Sequence, residues 1–152
     1  MCETIEEISI AQIDAYKIFA WKDHELVSAF KESYRNARGL SYPRNQQKIT
    51  CNSNTGFFAF RNFEEACSIA VDFKNWNFLN HDLVVLPVTL YDVFGTSSMR
   101  LFCTHSIRHC PCLKAREIVV RYSLDAVNKF NSQLERMRTI YSSYYRNFTH
   151  TF

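Results

Sequence analysis

The segment Cys103-Thr-His105-Ser-Ile-Arg-His109-Cys110-Pro-Cys112 holds five side chains able to ligate a metal or act as thiols within ten residues. Structural zinc takes four soft ligands in a tetrahedron, usually thiolates and imidazoles held at short spacing. Cys110 and Cys112 can offer two from a tight turn, with Cys103 and either His105 or His109 completing the set. The segment reads as a loop joining two strands, so Cys103 and Cys112 are expected to lie close together. The spacing differs from the paired two-residue-gap knuckle of common zinc sites, and a single loop would have to supply every ligand. A redox reading uses the same residues. Arg108, His109 and Lys114 flank the thiols and would favour the thiolate, but Cys-Pro-Cys is too short for an unstrained ring. A third reading is a set of ordinary reduced thiols, and a fourth is a Cys/His nucleophile pair without a visible orienting partner.

Other catalytic patterns are missing from the chain. There is no Gly-rich phosphate loop, no Gly-x-Ser-x-Gly elbow and no His-Glu-x-x-His helix. Catalytic and cofactor-binding residues are therefore not assigned, and zinc is the only cofactor the residue types suggest. Glu64 and Glu65 form a carboxylate pair, but they suit the first turn of a helix better than acid–base work.

The elements that would position these groups follow from patterning. Ala15–Trp21 alternates and is rich in aromatics, which predicts a first strand. Asp23 is placed to cap a short helix carrying Leu26, Phe30 and Tyr34. Lys48–Cys51 and Gly56–Phe60 read as strands around a polar turn at 52–55. Asn62-Phe-Glu-Glu65 is a helix start: Asn accepts free backbone N–H groups, and the acids sit at the positive end of the helix dipole. Phe63, Ala66, Ala70 and Phe73 make its apolar stripe, predicting a helix at about 62–75.

Leu83–Phe94 is dense in β-branched and apolar residues and predicts a strand buried on both faces, with Pro87 at a bulge or an edge. Gly95–Ser98 is expected to turn the chain into a strand at Met99–Cys103, and Ala115–Tyr122 to form another. Val127, Phe130, Leu134, Met137, Tyr141, Tyr144 and Phe148 then recur in steps of three and four. That seam predicts a long C-terminal helix with Ser123 as N-cap. It fits either packing onto the sheet or self-association as a homodimer.

The chain has 152 residues and a net charge of +3, unevenly spread. Residues 1–15 carry four acids and no Lys or Arg, whereas five basic residues and two acids follow from Arg121 onward. This basic, aromatic tail suits an acidic partner, protein or nucleic acid. Trp76, Phe78 and the tail tyrosines are of a type that can stack on bases. The acidic start is unlike a signal peptide, and no apolar run is long enough to span a bilayer. The expectation is a cytoplasmic protein with reduced thiols and no membrane partner.

Tyr16-Lys17, Gly56-Phe-Phe-Ala-Phe60, Glu65-Ala66, Val85-Leu-Pro-Val-Thr-Leu90 and Lys114-Ala-Arg116 occur in an order that resembles small uncharacterised bacterial and phage proteins. In those a Gly-x-x-Ala-Phe strand enters a helix, and some resemble a trimmed ADP-ribosyltransferase-like split sheet. The resemblance covers roughly residues 16–120 and consists of structural positions. It implies a fold, and it makes a nucleotide-handling enzyme the alternative function. The chain departs from that pattern in lacking the combined histidine, Ser-Thr-Ser and Gln/Glu-x-Glu set for nicotinamide chemistry.

Together these readings predict one α+β domain over 1–152: a mainly antiparallel sheet, a central helix and a long C-terminal helix packing across it. The leading functional expectation is a soluble non-enzymatic regulator or inhibitor that binds a protein partner. Arg136, Arg138, Tyr141, Tyr145 and Arg146 of the C-terminal helix are the expected contacts. A small zinc-stabilised module is the remaining alternative.

Overall fold

The computed structural model of the chain describes residues 3–29, 41–51, 56–77, 82–103 and 106–149. Side chains are described over 6–29, 41–51, 56–73, 82–100 and 107–140. In chain order the elements are β1 (Glu3–Lys22), β2 (Glu25–Ser28), β3 (Ile49–Thr50), β4 (Phe57–Ala59), α1 (Phe63–Asn77), β5 (Asp82–Cys103), β6 (Ser106–Val120) and α2 (Leu124–Thr149). This is an antiparallel sheet with two helices, an α+β fold.

The sheet runs β2-β1-β5-β6-β3, with β4 also paired to β6. The sheet then closes on itself between β1 and β4. Phe60, just past β4, exchanges two backbone hydrogen bonds of 2.7 Å with Tyr16 of β1. The strands β1, β5, β6 and β4 therefore form a ring closed by one bridge. Lys17 reinforces the closure: its buried ammonium donates to the Phe58 carbonyl at 2.7 Å and lies over the Phe58 ring. A lysine head-group inside a core needs such polar satisfaction to be tolerated.

Three expectations change. No helix begins at Asp23. Asp23 and His24 both have positive φ, 49° and 66°, between the paired residues Lys22 and Glu25. That is a two-residue hairpin turn with both central residues left-handed, which turns β1 back into β2. Leu26 is thus a buried strand residue, and Phe30 and Tyr34 lie outside the described residues, as does the expected turn at 52–55.

Second, Gly95–Ser98 is not a turn. β5 continues through it to Cys103, because the irregularity is absorbed by a bulge between Val93 and Gly95. Asp92, just before the bulge, takes φ 52°. A bulge inserts an extra residue and bends the strand without ending its pairing. Third, β6 begins at Ser106 rather than near residue 115.

Pro87 obeys its constraint in an informative way. Tyr16 directs its N–H and carbonyl to Phe60, so its pairing with Pro87 asks no donor of the proline. The Pro87 carbonyl accepts from Arg121 N at 2.9 Å, just beyond the end of β6 at Val120. The missing N–H falls where the neighbouring strand has ended.

One hydrophobic cluster joins Ile18 and Phe19 of β1, Phe57 of β4, Ile69 of α1, Val85 and Leu86 of β5, Leu113 and Ile118 of β6, and Phe130 of α2. α1 starts as predicted: Asn62 Oδ1 accepts from Glu65 N at 3.0 Å. Ser123 caps α2 in the same manner, its Oγ accepting from Ala126 N at 3.0 Å. On α2, Val127, Phe130, Leu134 and Met137 pack against the core. Those four seam positions serve intrachain packing, while the side chains of Tyr141, Tyr144 and Phe148 lie outside the described residues.

Candidate functional site

Within the thiol-rich segment Cys103 ends β5 and residues 106–112 belong to β6, and strand geometry separates the ligands. Cys103 pairs with Ser106, whereas Cys112 pairs with Ser97. Ser97 and Cys103 are six positions apart along β5, about 20 Å at the usual strand rise. The expected closeness of Cys103 and Cys112 is therefore overturned. Alternation separates the remainder. Arg108, Cys110 and Cys112 share one face, and His109 points to the other and is exposed. The guanidinium of Arg108 identifies what the thiol face looks at, because it donates to Ser68 Oγ at 2.8 Å and pairs with Asp72 Oδ2, both on α1. Cys110 and Cys112 are accordingly buried. His105 and the Cys103 side chain lie outside the described residues. Among the described residues no cluster of three or more His, Cys, Asp or Glu could hold a metal.

The cations expected to activate those thiols have other engagements. Arg108 is tied to α1, and Lys114 is buried with its ammonium over the Phe94 ring at 5.5 Å. On α1, burial pushes the Cys67 thiol up to about 12, and the neighbouring Glu64 carboxylate adds to this while Lys129 opposes it. A thiol so raised stays protonated and is a poor nucleophile. Burial likewise raises the Tyr42 hydroxyl, which packs edge-on to Phe19 at 5.0 Å.

A different concave surface lies where α2 passes the start of α1. It is a groove of about 310 Å³ lined by Asn62, Phe63, Glu64, Lys129, Ser132, Gln133 and Arg136. Helical spacing explains its composition. Positions 129, 132, 133 and 136 recur in steps that keep them on one stripe, next to the apolar stripe at 127, 130, 134 and 137. The apolar stripe anchors α2, and so presents the polar one to the groove. The Phe63 ring supplies an apolar wall, meeting Tyr16 at 5.3 Å between centroids and carrying the Lys129 ammonium 4.6 Å away. Among the described residues neither Lys129 nor Arg136 has a carboxylate within ion-pair distance.

Of the expected partner contacts, Arg136 lines this groove. Arg138 is exposed, but two residues on it stands about 200° round the helix, on another face. The side chains of Tyr141, Tyr145 and Arg146 lie outside the described residues, as do Phe78 and the Trp76 ring. Sequence reasoning passed over Lys129, Ser132 and Gln133. The available signal was the seven-residue spacing of Lys129 and Arg136, one helical stripe away from the seam; Ser132 and Gln133 follow from it only as the positions between.

Aromatic rings elsewhere are covered by the chain's own cations. Lys48 sits 3.9 Å over Tyr91, Arg116 4.5 Å over Phe94, and Arg44 5.7 Å from both Trp21 and Tyr122. Acids are interspersed, with Asp92 paired to Arg116 and Asp14 near both Thr89 and Arg121. Among the described residues no helix is long and apolar enough to cross a membrane. Compared with known proteins, the chain matches no family, no curated protein and no solved structure.

Proposed function

We propose that this protein is a non-enzymatic binding protein, a regulator or inhibitor of a macromolecular partner, and that it engages the partner through the α1–α2 groove. The observation supporting this is the alignment of Lys129 and Arg136 along one wall of a concave surface, without an internal counter-ion among the described residues. An ion pair formed across an interface gains most where the charge is not already neutralised within its own chain. The polar side chains between the cations can fix orientation, and the Phe63 wall can exclude water from the contact.

The test is affinity capture from the source cell with three baits: the wild-type chain, Lys129→Glu with Arg136→Glu, and Arg138→Glu. A protein recovered by the first and third baits and lost with the second, then shown to bind directly after purification, is the expected result. Identical recovery by all three baits would remove the groove from the function.

A further inference from the structure

We propose that the groove takes an acidic peptide segment of the partner, one carrying two carboxylates spaced to meet Lys129 and Arg136. This inference rests on the binding reading above and adds the chemistry of the ligand. Seven residues of α-helix place the two cations about 10 Å apart along the axis and within about 20° of one another around it. On a peptide in the polyproline II conformation, with three residues per turn, carboxylates three residues apart lie on one face and are separated by about 9 Å, close to that interval. Ser132 and Gln133 lie between the two cations and can bond to the peptide backbone there.

The opposite wall selects against a uniform polyanion. Glu64 faces the same groove and is exposed, so a run of phosphates would meet a like charge. A peptide can place an amide N–H or a basic side chain at that point. Among the groove's described lining residues there is also no row of open rings on which single-stranded nucleic acid could stack. The aromatic among them, Phe63, already has Tyr16 against it and Lys129 over it.

The experiment is fluorescence anisotropy with a labelled short peptide of Gly and Ser bearing two glutamates three residues apart. A peptide with glutamines in their place and a single-stranded thymidine oligonucleotide are the comparisons. The glutamate peptide should bind saturably, with affinity falling about tenfold in Arg136→Gln and again in Lys129→Gln, and unchanged in Arg138→Gln. Equal binding of the glutamine peptide would overturn the inference. So would an equal loss in Arg138→Gln, or tighter oligonucleotide binding that depends on the same two cations. Urea midpoints of each variant establish that the groove is still folded. If the peptide fails while a captured partner still requires Lys129 and Arg136, the acidic-segment inference falls and the binding reading stands.

Discussion

The thiol-bearing strand β6 and the α1–α2 groove reverse what their sequences advertise. β6 concentrates the most reactive residue types, yet the face carrying Cys110 and Cys112 is turned onto α1 and sealed. The groove is made of residue types that attract no notice, and it leaves two cations in solvent on a concave wall. Reactive composition and reactive presentation are thus separate properties. In a strand, alternation decides which neighbours can act together. In a helix, the apolar stripe decides which polar stripe is offered outward.

If β6 is core and the groove is surface, substitutions should divide sharply between them. The largest effects belong beside β6. Gly56 has φ +71°, and an added Cβ would stand 2.7 Å from the Ala115 carbonyl and 2.8 Å from the Phe94 ring. Gly56→Val combines a disfavoured backbone with a clash against fixed atoms, so a loss of about 3 kcal/mol or failure to fold is expected. Leu113→Ala, at a fully buried position, should cost about 3 kcal/mol by urea denaturation. A Leu113→Ala cost under about 1 kcal/mol would mean that this strand is not packed as described.

Alkaline pH probes the buried thiols from another side. Cys67 is raised from 9.0 to about 12 in the folded chain, so between those values the native state holds a proton that the unfolded chain has released. Its contribution to stability is intact below about pH 9 and is lost as pH rises through that window toward 12. Urea midpoints should fall across this range, and fall less steeply in Cys67→Ala. Parallel curves for the two proteins would show that the thiol is not shielded.

The clasp between β6 and α1 has a smaller effect. Arg108 and Asp72 are each 28% exposed, which weakens their attraction through solvent screening. Arg108→Ala should cost about 1–2 kcal/mol, partly through the packing of the arginine stem. Site-resolved alkylation gives the sharper readout. Cys110 and Cys112 should react only on unfolding in the wild-type chain, and earlier in Arg108→Ala. Rapid labelling of both in the native wild-type protein would return the thiols to the surface.

Legibility followed the range of the interactions involved. The start of α1 depends on Asn62 and the next three residues, so the sequence shows it directly. The seam of α2 repeats locally and was equally readable. The β1–β2 hairpin was not, because Asp23-His24 adopts two positive φ values without the glycine that usually signals them. Gly95 misled for the opposite reason: it lies in a strand beside a bulge, a context fixed by pairing with β6 rather than by its own neighbours. The site depended on the longest-range facts of all. Alternation through Arg108–Cys112 could be read only once β6 was known to start at Ser106. The groove needed α1 and α2 to be adjacent, which no local pattern states.

The smallest predicted effects are those of the groove cations on stability, and they test the comparison most directly. Arg136 is exposed with no described ion pair, so Arg136→Ala should shift stability by no more than about 0.5 kcal/mol. Lys129 differs, since its ammonium lies over Phe63 at 4.6 Å, and Lys129→Ala should cost about 0.5–1 kcal/mol. That ranking separates two roles for the same surface. A docking wall tolerates truncation in the free protein and shows its value only when the partner arrives. A structural clasp between α1 and α2 would show it at once. If Lys129→Ala lowers the urea midpoint as far as Leu113→Ala does, the groove is a seam of the fold, and its cations hold the helices together instead of receiving a ligand.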